Sequence, residues 1–338
     1  MVIFAANFNL MTQINHEFAL TNFYHQIEFA LDNFTSHGLK ASQFNNIVIG
    51  GLGGSGIGGR IAKSYLTDKV SLPIEVYSDY QLPAYTSSNS LVILSSYSGL
   101  TEETLAMYEE ARSKKCTIVC ITSGGTLLEW VERDNVPYYI VETGYQPRMA
   151  LGFSLTYNLL ILSELFGIDL VPELKSISSI YSNVKLEQDR ANSMLDCFAN
   201  HLNNKFTIVA DGVTESIGIR FCQQIQENAK VEAFINVLPE ANHNVFETYY
   251  GILPSNFIFL NSQSNDRNKG RFAYLKQLLE KQGNTIFEID LDNSSLTQLF
   301  KTIYMTDWFS IFLSNKKGAD NMTVPNISGL KSFLLTFK

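Results

Sequence analysis

Short apolar runs separated by amphipathic stretches organise the chain. Runs at 46–50 (NIVIG), 73–77, 91–95 (LVILS), 117–122 and 137–141 read as strands, and the segments 57–66, 104–114 and 149–165 between and after them read as helices. Strands alternating with helices of this length predict a parallel sheet covered on both faces, and right-handed crossovers then make it a doubly wound α/β unit. Ahead of it, Phe18, Phe23, Ile27, Ala30 and Leu31 recur at helical spacing and predict an amphipathic helix over 12–34. A second rhythm follows a helical, chemically plain stretch at 172–202: strands at 206–210, 257–261 and 285–289, helices at 217–229, 272–281 and 296–313. One shift lays Ile47-Val48-Ile49-Gly50-Gly51 over Thr207-Ile208-Val209-Ala210-Asp211, and Ile57-Gly58-Gly59-Arg60 over Ile217-Gly218-Ile219-Arg220. Two related α/β domains in tandem, with parallel sheets flanked by helices, is the expected architecture. The expected division is an N-terminal helical segment at 1–38, a first domain at 39–168, a helical connection at 169–202 and a second domain at 203–338.

Composition narrows the partners. With 338 residues, 45% hydrophobic and 17% charged, the chain has enough apolar material for a full core and little room for disorder. Its 25 Lys and Arg against 33 Asp and Glu give a net charge of −8 with no dense basic block, which argues against nucleic acid as a partner. Cys116, Cys120, Cys197 and Cys222 are scattered and lack the second pair or histidines of a zinc site, so they are expected to be reduced core thiols and no metal is expected. The N-terminal stretch has no basic region and no run long enough for a signal sequence or a membrane span, which predicts a cytoplasmic protein away from membranes.

Two loops carry the candidate chemistry. After the first strand, Gly51, Gly53 and Gly56 form a G-x-G-x-x-G leading into a helix, the context of a dinucleotide site, and Asp79 past the second strand is placed for the ribose-binding acid. The same glycines also suit a tight turn with close helix-sheet packing. A Walker A loop is excluded, because Gly59 and Arg60 stand where Lys and Ser/Thr are required. The third strand runs into Ser95-Ser96-Tyr97-Ser98-Gly99-Leu100-Thr101-Glu102-Glu103-Thr104, which gathers hydroxyls and free N–H groups at a helix start. An ordinary N-cap accounts for Thr101 and the two glutamates, but not for Ser95, Ser96 and Ser98 together. Such a set can hold the terminal oxygens of a phosphate monoester without Lys or Arg, whereas a diphosphate bridge has no use for a second cradle.

These residues resemble a known family. GGSGIGG at 53–59 with SYSGLTEET at 96–104 is similar to the sugar isomerase (SIS) domain. Pro147-Arg148-Met149-Ala150-Leu151-Gly152, Glu227-Asn228-Ala229-Lys230, Asn242-His243-Asn244 and Leu330-Lys331 resemble the bifunctional phosphoglucose/phosphomannose isomerase branch, over about 46–338. The chain departs from that pattern at Leu100, where Asn is usual, and at Val245, where an acidic residue is usual. The resemblance implies a double SIS-domain enzyme that interconverts glucose 6-phosphate, with mannose 6-phosphate as a further substrate, and fructose 6-phosphate, with no cofactor. It implies a phosphate site at Gly54, Ser55, Ser96, Ser98 and Thr101.

The chemistry requires a base to move a proton between C2 and C1, and a positive charge for the enediolate formed in between. Glu227 is the expected base and Arg148 the expected fixed cation, although a lone helical Glu is ordinarily a surface charge and Arg148 has an alternative partner in Glu142. His243, in a polar loop, carries an imidazole able to give and take a proton, which suits opening of the pyranose ring. The resemblance implies that this histidine crosses a homodimer interface and that Lys331 is the second ring-opening group. It leaves Thr323 as the candidate for epimer choice. Two other readings stay open: a non-catalytic SIS sugar-phosphate sensor, which needs no base, and a nicotinamide or flavin oxidoreductase using the glycine fingerprint, which the serine-rich loop does not favour.

Overall fold

The computed structural model describes residues 14–291 and 295–337. Its first sheet is built from β1 (Asn46–Gly50), β2 (Ile74–Tyr77), β3 (Ser90–Ser96), β4 (Thr117–Thr122) and β5 (Tyr138–Ile140), in the order β2-β1-β3-β4-β5 and parallel throughout. Every residue of β3 is buried, which is what a continuous apolar strand between two helix layers requires. Helices α1 (His16–Thr21), α2 (Phe23–Asn33), α3 (Gly53–Leu66), α4 (Glu102–Ser113), α5 (Gly125–Asp134) and α6 (Leu151–Phe166) belong to this half.

The second half holds α7 (Val171–Tyr181), α8 (Lys185–Cys197), α9 (Glu215–Gln224), α10 (Asp266–Lys281), α11 (Leu296–Lys317) and α12 (Pro325–Leu334). Its sheet comprises β6 (Lys205–Asp211), β7 (Ala233–Leu238), β8 (Ser255–Asn261) and β9 (Ile286–Asp290), ordered β7-β6-β8-β9 and again parallel. Four strands therefore repeat the order of the first sheet, with β6 in the place of β1 and β8 in the place of β3. Both halves have the tandem α/β architecture read from the sequence.

One hydrophobic core crosses the two halves, running from Ile47 and Ile49 of β1 through Phe153 and Leu159 of α6 to Phe221 of α9 and Phe309 of α11. The N-terminal helices close it. Phe23 packs edge-on to Tyr181 at 5.8 Å, Tyr181 packs on Tyr304 at 4.6 Å, and the Tyr304 hydroxyl donates to the Leu20 carbonyl at 2.7 Å.

Several local expectations are corrected. The leading helix is two helices, broken at Asn22, whose side chain donates to the Phe18 carbonyl and competes with the helical ladder. The third helix starts at Gly53 rather than at residue 57, because the glycines occupy its first turn instead of a loop before it. The helix expected from residue 149 starts at Leu151, because Pro147–Met149, which carries Arg148, forms a 3₁₀ turn ahead of α6. Two elements escaped the pattern. In α5 the buried Leu127 and Val131 lie one turn apart on a single apolar face that the sequence reading overlooked, and β7 is an edge strand that leaves Phe234 51% exposed and so shows no strong apolar alternation. Of the four free cysteines, Cys120 and Cys222 are buried but Cys197, at the end of α8, is exposed.

Arg220 of α9 and Asp307 of α11 form an ion pair, Nη2 to Oδ2 2.6 Å and Nε to Oδ1 3.1 Å, with both side chains nearly inaccessible. Burial pushes the Asp307 carboxyl up from its ordinary pKa and the guanidinium pulls it back down. Removing one partner strands the other charge in the core, so Asp307→Ala is expected to cost about 3–5 kcal/mol in denaturant unfolding, against near neutrality if the pair were solvated.

Candidate active site

The two serine- and glycine-rich loops meet at the C-terminal ends of β1 and β3, neighbouring strands at which such sheets hold ligands. Ser55, on the first turn of α3, accepts a hydrogen bond from the Tyr97 N–H at 3.0 Å. Ser96 donates to the Thr101 hydroxyl at 3.0 Å and accepts the Gly99 N–H at 3.1 Å, while Ser98 accepts the Leu100 N–H at 3.2 Å. Thr101 is the N-cap of α4, so the hydroxyls stand at the positive end of two helix dipoles. Gly99 has φ +65, and a Cβ there would lie 1.7 Å from the Gly124 carbonyl oxygen, so only glycine fits the turn. A small recess opens inside these loops, lined by Gly54, Ser55, Ser95, Tyr97, Pro147 and Ala150.

Gly54 connects this cradle to Arg148. A Cβ at Gly54 would sit 2.5 Å from the Pro147 carbonyl oxygen and 2.8 Å from the Arg148 nitrogen, so the absence of a side chain lets the Pro147–Met149 turn press against α3. Tyr97 ties the same parts from the other side: its hydroxyl donates to the Glu142 carbonyl at 3.0 Å and accepts the Tyr145 N–H at 2.8 Å. Gln26 of α2 holds the turn from behind, donating to the Met149 carbonyl and accepting the Gly152 N–H, both at 2.9 Å.

The second half then fixes Arg148 itself. Its carbonyl accepts from Arg220 Nη2 at 3.1 Å and from Gln224 Nε2 at 3.3 Å. Its Nε donates to Asn228 Oδ1 at 3.0 Å, and its Nη2 to the carbonyls of Asn321 at 2.6 Å and Met322 at 3.2 Å. Asn228 is held in turn by Gln224 and Ser310, to which its Nδ2 donates at 2.7 and 3.0 Å. The remaining nitrogen, Nη1, lies 3.6 Å from Glu227 Oε2. Glu142, the other partner considered, pairs with His25 at 3.0 Å instead. Burial lowers the pKa of the Arg148 guanidinium from its ordinary value, and Glu227 opposes that shift.

Glu227 sits in a single π turn, Ile225–Ala229, that ends α9. The wider turn keeps Asn228 pointing into the core beneath Arg148 while Glu227 stays partly open, and insertions of this kind recur at functional sites. Lys230 follows with φ +56, and its Nζ donates to the Thr323 carbonyl at 2.7 Å. Thr323 itself is exposed and donates its hydroxyl to Asp320 at 2.6 Å.

The profile of the SIS domain matches residues 41–127, and that of the bacterial phospho-glucose isomerase C-terminal SIS domain matches residues 194–334. The chain is 36% identical over 313 residues to a bifunctional phosphoglucose/phosphomannose isomerase of Caldicellulosiruptor bescii, covering 89% of this chain and 92% of that one. The chain belongs to the bifunctional phosphoglucose/phosphomannose isomerase family. A second such isomerase, of Aquifex aeolicus, is 32% identical over 86% of this chain and 91% of its own length. A D-glucosamine-6-phosphate 4-epimerase of Sulfolobus acidocaldarius is 33% identical over 65% of this chain and 69% of its own. Among solved structures, a glucosamine-6-phosphate deaminase of Thermotoga maritima superposes with a TM-score of 0.71 at 12% identity, covering 90% of this chain and 96% of that one. The likeness to that deaminase is one of fold.

For this member of the isomerase family, the single chain brings together Gly54, Ser55, Ser96, Ser98, Thr101, Arg148 and Glu227. It does not bring in the other two candidates. His243, itself exposed, ends a 3₁₀ turn after β7 anchored by the buried Ala241, and Lys331 lies on α12, whose residues are all exposed; neither side chain bonds to Arg148 or Glu227. Leu100, at the family's usual Asn, is 60% exposed. Val245, at the usual acid, is half-buried beside Asn244. The sequence reading passed over Arg220, Gln224, Asn228, Asp307 and His16. Asp307 was the available signal, a carboxylate in an apolar stretch of α11 that demands a buried partner.

His16 closes the far side of the clamp, its Nε2–H donating to the same Asn321 carbonyl at 3.0 Å. Burial first, then the Arg148 charge, hold its pKa down at about 3, from 6.5. The folded chain keeps the ring neutral where the unfolded chain protonates it, so this contribution is complete above pH about 6.5 and declines as pH falls toward 3. Wild type is expected to lose up to about 1.4 kcal/mol more per pH unit than His16→Gln across that window, measured as unfolding free energy; equal slopes would contradict the assignment.

Proposed function

We propose that this isomerase-family chain converts glucose 6-phosphate and mannose 6-phosphate to fructose 6-phosphate through an enediolate, at the crevice between its domains. The 3.6 Å approach of Glu227 to Arg148, one turn from the hydroxyl cradle, carries this reading. The 6-phosphate occupies the cradle of Ser55, Ser96, Ser98 and Thr101, where the N-termini of α3 and α4 favour its charge. In the open-chain sugar, Glu227 removes the C2 proton. Electrons move from the C2–H bond into a C1–C2 double bond, and the carbonyl oxygen becomes an oxyanion beside the Arg148 guanidinium. The O2 hydroxyl proton passes to O1, the electrons of the C1–C2 double bond take the proton back from Glu227 at C1, and the C2 carbonyl forms, so the sugar supplies both electrons and acceptor. A guanidinium held at both its backbone and its side chain is preorganised for that oxyanion. The sensor alternative needs no such pair.

Ring opening is assigned to His243 and Lys331. Because neither bonds to the Arg148–Glu227 pair within one chain, we infer that a second copy supplies His243. The wholly exposed α12, with Ile327, Leu330 and Phe333 on its surface, supports association of this kind.

Glu227→Gln keeps the shape and removes the base, and its turnover is expected to fall about 10²-fold or more, while affinity for a sugar-phosphate inhibitor changes little. A coupled assay for fructose 6-phosphate from each substrate reads the effect, and retention of more than about a tenth of wild-type turnover would remove Glu227 from the role. Mixing inactive Glu227→Gln chains with His243→Ala chains is expected to restore about a quarter of wild-type activity, since half the dimers then carry one intact site of two. No recovery after subunit exchange would place His243 in its own chain's site.

A further inference from the structure

The second domain repeats the phosphate cradle of the first and fills it from within. Ile47 pairs with Leu91 in the first sheet, and Thr207 pairs with Phe257 in the second. Counted forward from the matching residues Ile47 and Thr207, Gly51 falls on Asp211. Counted forward from Leu91 and Phe257, Ser96 and Ser98 fall on Ser262 and Ser264. The first domain therefore has glycine where the second has a carboxylate, and both have a Ser-x-Ser loop facing it from the neighbouring strand.

Asp211 is fully buried. Its Oδ1 accepts the N–H groups of Val213 and Thr214, each at 3.3 Å, and the Thr214 hydroxyl at 3.2 Å. Its Oδ2 accepts the Ser262 hydroxyl, the Ser264 hydroxyl at 2.8 Å and Asn268 Nδ2 at 3.2 Å, the last from the first turn of α10. Among the described residues, no Lys, Arg or His forms an ion pair with it. A buried carboxylate without a cation survives only if neutral donors replace its water, and here hydroxyls, backbone N–H groups and a helix start do so. The Ser-x-Ser pair and the helix start are shared with the first domain, while its Ser55 and Thr101 are replaced here by Glu215 and Arg267, and Thr214 and Asn268 supply the further donors.

We propose that Asp211 is a built-in anion that occupies a second phosphate-type cradle, so that inorganic phosphate or a phosphate monoester binds the second domain only when this carboxylate is removed. The repeat thus keeps the architecture of two anion sites while leaving one for substrate.

Equilibrium dialysis of the full chain against labelled inorganic phosphate tests this. Asp211→Gly is expected to bind one more equivalent per chain than wild type, with isomerase turnover within about twofold of wild type, as Asp211 touches no part of the proposed active site. That increment should persist in combination with Ser96→Ala and Thr101→Ala. The drop from wild type to the Ser96→Ala, Thr101→Ala chain reads the first cradle instead, so failure of the proposed active site and failure of this inference give different results. If Asp211→Gly is marginally stable, its melting is followed in phosphate, which should raise the melting temperature well beyond any rise in wild type. A folded Asp211→Gly chain with no additional equivalent, or an unstable one that phosphate does not rescue, would overturn the proposal.

Discussion

The anchoring of Arg148 is the constraint on which the rest of the site depends. A guanidinium this deeply buried is tolerable only when nearly every donor has a partner, and Arg148, which belongs to the first half, finds its partners in the second. The Arg220–Asp307 pair holds the backbone of residue 148, Asn228 holds the side chain, and Gly54 allows the turn to touch the cradle. The domains are thereby locked in one relation. Phosphate hydroxyls on one side and Glu227 on the other follow from it without any loop spanning the gap.

Duplication then explains the asymmetry. Parallel sheets of matching order place two Ser-x-Ser loops beside two strand ends, yet glycine at position 51 leaves one cradle for a ligand and Asp211 closes the other. The halves have divided the work. In the proposed reaction the first binds the anion, while the second contributes Glu227 on its π turn and the polar residues that fix Arg148.

What the sequence disclosed follows from which signals are local. The strands of β1, β3 and β4 are apolar runs buried on both faces, and the serine loop announces itself by composition. Arg148 and Glu227 lie 79 positions apart, and only the family resemblance linked them, because no periodicity records a contact between domains. Asn228 shared the quoted motif with Glu227 but drew no role, since its purpose appears only when Gln224 and Ser310 are seen around it. The half-exposed edge strand β7 was invisible for the opposite reason, too few apolar positions committing to either face, whereas the Leu127 and Val131 pair of α5 was a legible helical spacing left unread.

A crystal structure of the protein with an aldonate 5-phosphate, whose carboxylate stands in for the enediolate, is the most direct measurement. The account predicts the phosphate within hydrogen-bond reach of Ser55, Ser96, Ser98 and Thr101, the carboxylate on the Arg148 guanidinium, and Glu227 over the carbon that gives up its proton. A phosphate bound away from those hydroxyls, or a carboxylate that leaves Arg148 untouched, would contradict it.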